Sequence, residues 1–187
     1  MKIKDENVLS DTISIIHSMC ELPKEYVDYR KAVENNIVSL IIKLDECLRS
    51  VLGDKLESVI RNEGNKIEET RFIEYHYIDE YNHKNVVYIG TDARTELGDV
   101  ADEDPAIYVN ICIAKFQKDI FDDVYVAHPM MGGAFCIRDI KIYRCEWDNM
   151  SDSYNDNLSD EEVFQKYEKI TNAIDCIDLE EIIVGGK

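Results

Sequence analysis

Histidine and cysteine are the residue types here best suited to chemistry, and their spacing sets what they can do. His76 and His83 flank Asp79 and Glu80, at the end of a predicted strand and its turn. Two imidazoles and a carboxylate would suit zinc or iron. The spacing fits no metal motif, however, and a solvated hairpin turn explains the same residues. His128 precedes Pro129, which pushes its backbone toward an extended conformation. With Cys136 or Cys145 it would form the thiolate–imidazole pair that activates a cysteine nucleophile. Alternating sheet patterns account for both cysteines equally well. Asp148, Asp152, Asp156 and Asp160 recur every four residues, a spacing that would stack like charges along a helix. The intervening Ser and Asn favour turns, and the pattern lacks the central Gly and closing Glu of a calcium loop. No catalytic set, metal site or cofactor is assigned.

Two other segments are candidates for meeting a partner. Glu96, Asp99, Asp102, Glu103 and Asp104 make a compact anionic patch in one loop. Met130 and Met131, with Gly132 and Gly133, read as a turn between strands that presents two adaptable apolar side chains. The alternatives are a solvated loop for the first and a Met folded into the core for the second.

These residues need elements to position them. Val8, Leu9, Thr12, Ile13, Ile16, Met19 and Cys20 draw one helical face before Pro23. A longer pattern runs over about 24–62: Val33, Ile37, Leu40, Ile41, Leu44, Leu48, Val51, Leu52, Leu56, Val59 and Ile60, ended by Gly64. Unbroken, it would run roughly 58 Å at about 1.5 Å per residue. A domain of this length is only about 40 Å across. A break at Gly53, with Asp54 opening a second piece, is preferred to a rod that overhangs its core. An overhang would instead supply a homodimer interface.

After residue 70 the period falls toward two. Residues 71–79 and 85–90 read as a hairpin, and 106–114 as a strand buried on both faces. Residues 124–127 and 135–147 supply two more strands, joined across His128–Gly133. Ser159 and Glu162 form a capping box that opens a last helix through Val163, Tyr167, Ile170, Ile174 and Ile177. Ile182–Val184 could add a short strand. The expected architecture is a single α+β domain over 1–187: helices in 5–63, a mostly antiparallel sheet of about five strands in 70–147, a polar loop over 148–158, and a C-terminal helix over 159–177. The N-terminal helices, one long or broken at about Gly53, are expected on one face of the sheet.

Charge narrows the function classes. Against 39 Asp and Glu stand 21 Lys and Arg, a balance of −18, so direct binding to nucleic acid or anionic lipid is disfavoured. No apolar run approaches the ~18 residues of a membrane span. The six cysteines contain no C-x-x-C pair and are expected to be reduced, in the cytoplasm. Neither a G-x-G-x-x-G nor a P-loop pattern is present. The expected function is an acidic, non-enzymatic binding protein of the inhibitor, immunity or antitoxin kind, which neutralises a basic partner such as a nuclease toxin. The alternatives are a small hydrolase or transferase using His128 and Cys136 or a His76/His83 metal site, and a self-associating module built on the 24–62 helix.

Overall fold

The computed structural model describes residues 27–61, 71–94, 106–118, 124–138, 140–144, 146–151 and 158–182. Helix α1 (Val27–Leu52) leads into a 3-10 turn (Gly53–Lys55) and seven strands. These are β1 (Leu56–Arg61), β2 (Arg71–Ile78), β3 (Lys84–Arg94), β4 (Ala106–Lys118), β5 (Tyr125–Arg138), β6 (Lys141–Arg144) and β7 (Asp148–Asn149), and helix α2 (Asp160–Asp175) comes last. The sheet is an antiparallel meander in the order β1 to β6, with β7 added beside β5. The fold is α+β, with helices on one sheet face. The expected helix over 6–20 and the acidic loop over 96–104 lie outside the described residues.

The core forms where α1 meets that sheet face. Ile37, Leu40, Leu44 and Leu48 recur at helical spacing and are fully buried. They pack with Ile73, Tyr75 and Tyr77 of β2, Val87 and Ile89 of β3, and Ile107, Val109, Ile111 and Ile113 of β4. The alternate residues of these strands face away, and Val86, Tyr88 and Ala114 form a smaller buried cluster there. Polar groups fix the two layers to each other. The Tyr75 hydroxyl, at the end of a fully buried side chain, donates to Asp45 Oδ1 at 2.8 Å, and Arg49 donates to the same carboxylate at 2.9 Å. Burial, and then the Asp45 charge, push the Tyr75 phenol upward, so it stays a donor. Asn36, also fully buried, donates to the Ile140 carbonyl at 2.8 Å. That bond holds the β5–β6 turn, where Ile140 sits at φ +64°, a region β-branched residues rarely occupy.

Two expectations are corrected, both by β-bulges. The helical pattern over 24–62 ends at Leu52, where Gly53 at φ +50° breaks it, but the chain continues as strand β1 and not as a second helix. Leu56 pairs with Tyr77, Ser58 with His76 and Val59 with Tyr75, so Glu57 is an extra residue. The bulge brings Leu56 and Val59, three apart, onto the core side, which imitates a helical step. In β5, Ile113 pairs with Met131 and Ala114 with Pro129, leaving Met130 as the extra residue. His128–Gly133 is therefore strand and not turn. Met130 and Met131 are both buried in the core, so neither is presented to a partner. The bulge also suits Pro129, which has no N–H to give a ladder.

Gly132 and Gly133 are open for steric reasons. A Cβ on Gly133 would lie 2.6 Å from the Trp147 ring, whereas one on Gly132 would meet the thioether of Met150. Trp147 is pinned by its Nε1–H donating to Asp175 at 3.1 Å, while Met150 is half exposed and can move. Gly133→Ala is expected to cost about 1–3 kcal/mol and to shift Trp147 fluorescence, and Gly132→Ala less than ~1 kcal/mol. Urea titration monitored by Trp147 emission checks both, and equal costs would contradict this packing.

Candidate functional site

Helix α2 is built to display one face. Ser159 Oγ accepts from the Glu162 N–H at 3.3 Å, and Glu162 Oε2 accepts from the Ser159 N–H at 2.7 Å. The capping box expected from the sequence is thus formed. Those hydrogen bonds from the Ser159 backbone and hydroxyl hold the Glu162 carboxyl below its usual range. Asp160, Glu161 and Glu162 sit in the first turn, where the helix dipole favours negative charge. Val163, Tyr167, Ile170, Thr171 and Ile174 are buried against α1 and the sheet.

The opposite stripe is exposed. Glu161, Phe164, Gln165, Glu168 and Asn172 are spaced along one side of the helix and face water. Phe164 is 39% exposed between two carboxylates, one turn away on either side. Beyond the helix, Asp178, Glu180 and Glu181 are exposed as well. At the helix end Asp175 opposes the dipole. It is held there by Arg144 Nε at 3.4 Å and by Trp147, while an Arg144 guanidinium N–H donates to the Ile177 carbonyl at 2.9 Å.

Charge is unevenly divided. The described residues contain 20 of the 39 acids and 16 of the 21 Lys and Arg. Residues 158–182 alone hold eight of those acids against Lys166 and Lys169. The remaining described residues are close to neutral. The acidic set Glu96, Asp99, Asp102, Glu103 and Asp104 lies outside the described residues, in the connection between Arg94 and Ala106, which are partners in the β3–β4 ladder.

Among the described residues, the histidines and thiols are not gathered into one centre. His76 Nε2 lies 2.8 Å from Glu74 Oε2, and its ring stacks on Phe116 at 5.5 Å. His83 pairs with Asp79 at 3.4 Å in the β2–β3 turn. Among the described residues no three His, Cys, Asp or Glu side chains converge to hold a metal ion. His128 and Cys136 lie on one strand, eight residues and so about 25 Å apart, and do not form a pair. Cys145 is outside the described residues. Burial, with Cys176 adding, pushes the Cys47 thiol up, which suits a core residue and not a nucleophile. Cys176 itself is exposed.

A large cavity of about 930 Å³ opens at the end of the sheet. Its lining combines Lys84, Lys115 and Lys166 with His76 and His83, Phe116 and Tyr125, and one carboxylate, Glu57. The sequence hid this grouping, because its lysines are 31 and 51 residues apart. The exposed stripe of α2 was within reach of sequence reasoning, as the complement of the apolar stripe. A scan against family models finds no match, and neither curated proteins nor solved structures yield one.

The β2–β3 turn beside this cavity depends on Asp79. Its Oδ1 accepts from the Tyr81 and His83 N–H groups at 2.9 and 2.8 Å, which holds Asn82 at φ +64°. Burial alone would raise the Asp79 carboxyl; the N–H bond from His83, the Asn85 side chain and the Tyr81 N–H outweigh it, and the net shift is downward. A lowered carboxylate adds stability that is complete above its unfolded value of about 3.9 and is lost as pH falls through the folded value. Asp79→Ala is expected to cost about 1–2 kcal/mol near neutrality. The gap from the parent chain should close below about pH 4. Urea unfolding across pH measures this, and a gap that widens in acid would contradict it.

Proposed function

We propose that this chain is an acidic, non-enzymatic binding protein of the inhibitor or immunity kind, acting in the cytoplasm on a basic protein partner. A nuclease toxin or nucleic-acid-binding effector is the partner type that such a surface would suit. The observation that carries the reading is the concentration of exposed carboxylates over 158–182 around a single exposed aromatic, Phe164. An aromatic anchor ringed by charge is the pattern of a binding hot spot. Complementary charge speeds the encounter and weakens with salt. Glu96, Asp99, Asp102, Glu103 and Asp104 add five further carboxylates to the chain's negative balance. No helix among the described residues is long and apolar enough to cross a membrane.

A second reading, a small hydrolase or transferase, is supported by His76, which is oriented by Glu74 and lines the large cavity. Self-association through α1 has less support, because the apolar stripe of that helix is already covered by its own sheet.

The tagged full chain, incubated with source-cell lysate, is expected to retain a basic protein at about 50 mM salt and release it at about 500 mM. Reversing two charges, Glu161→Lys with Glu168→Lys, should abolish capture, and Phe164→Ala should weaken it by about tenfold or more. Capture of no basic protein, or capture indifferent to the double reversal, would overturn the proposal.

A further inference from the structure

A large cavity of this acidic chain is lined mainly by basic side chains. It lies where the β2–β3 turn, the outgoing end of β4, the start of β5 and helix α2 meet. Lys115 of β4 lies near Lys166 of α2, and burial, with the Lys166 charge adding to it, lowers the Lys115 ammonium from its ordinary value. Lys166 has one carboxylate within reach, Asp79 Oδ2 at 3.8 Å, which it shares with His83 Nδ1 at 3.4 Å. His83 of the turn and Lys84 at the start of β3 contribute two more nitrogen-bearing side chains. Three lysines against one lining carboxylate, Glu57, give this concavity a positive balance that suits an anion.

The lining also sets the size of the occupant. Lys115 and Phe116 are successive residues of one strand, so they leave it on opposite sides, yet both line the cavity. The space therefore wraps the end of the sheet. A bare oxyanion could meet the lysines but not Phe116 and Tyr125 as well. A volume of about 930 Å³ falls in the range of small-molecule sites, and flat aromatic walls favour a flat ligand.

We propose that this cavity binds a small phosphate ester of a planar ring, of mononucleotide size, with its anionic head between Lys115 and Lys166 and its ring toward Phe116 and Tyr125. The net charge of −18 disfavours a polynucleotide but not a single phosphate ester, whose charge is met locally. Such a ligand would occupy a surface different from the exposed stripe of α2, so the two sites are independent.

Isothermal titration of the full chain with AMP, inorganic phosphate and adenosine tests the assignment. AMP should bind most tightly, phosphate at least about tenfold more weakly, and adenosine without measurable heat. Lys115→Gln and Lys166→Gln should each weaken AMP by about tenfold or more, while Lys115→Arg and Lys166→Arg retain most of the affinity. Lys141→Gln, an exposed change on β6, should leave affinity unaltered and so separate local from net charge. No heat with AMP overturns the proposal. So does adenosine binding as well as AMP, or equal losses from all three glutamine variants.

Discussion

The rest of this structure depends on burying a single sheet face. Among the described residues, a meander of six strands with a seventh beside β5 presents Tyr75, Ile89, Ile111 and Phe135 to one side, and that surface is stable only when helices remove it from water. Helix α1 supplies an uninterrupted apolar stripe for this purpose. Helix α2 supplies a second, beside the first. Once α2 is rotated to bury Val163, Tyr167, Ile170 and Ile174, the direction of its other stripe is fixed. The display of Glu161, Phe164 and Glu168 is thus a consequence of core packing. Asp175, Arg144 and Trp147 tie the end of α2 to the strands beneath and resist any roll that would bury the acidic face.

Electrostatics is set by the same layering. The sheet and α1 are nearly balanced in charge, with Asp45 and Arg49 satisfying each other next to Tyr75. The excess of carboxylates in the described residues falls on α2 and the turn after it. Positive charge, in turn, collects at the end of the sheet, where the strand lysines Lys84 and Lys115 share a cavity with Lys166. A chain with a strong overall negative balance thereby carries two surfaces of opposite sign. Net charge alone describes neither of them.

Much of the architecture was legible in the residues. The stripe from Val33 to Leu52, the alternation in β2 to β4 and the Ser159–Glu162 capping box are local patterns, and each formed as its period dictates. Bulges defeated the rest. An extra residue at Glu57 places Leu56 and Val59 on one side, so a strand carried a helical signature. An extra residue at Met130 buries two successive methionines, and the glycines after it make way for Trp147 and Met150 instead of bending the chain. Such shifts of phase depend on the neighbouring strand, which no local window contains. The basic cavity was invisible for a related reason, since its lysines come from two strands and a helix far apart in sequence.

Carbodiimide coupling tests the central claim most directly, because it joins a carboxylate to a lysine only where the two touch. The full chain would be treated in source-cell lysate at low salt and its adducts located by mass spectrometry. Basic-protein peptides should appear on Glu161, Glu168, Asp178 or Glu180 and vanish at high salt. Adducts spread evenly over the chain's carboxylates, or none at low salt, would contradict a binding face on the last helix.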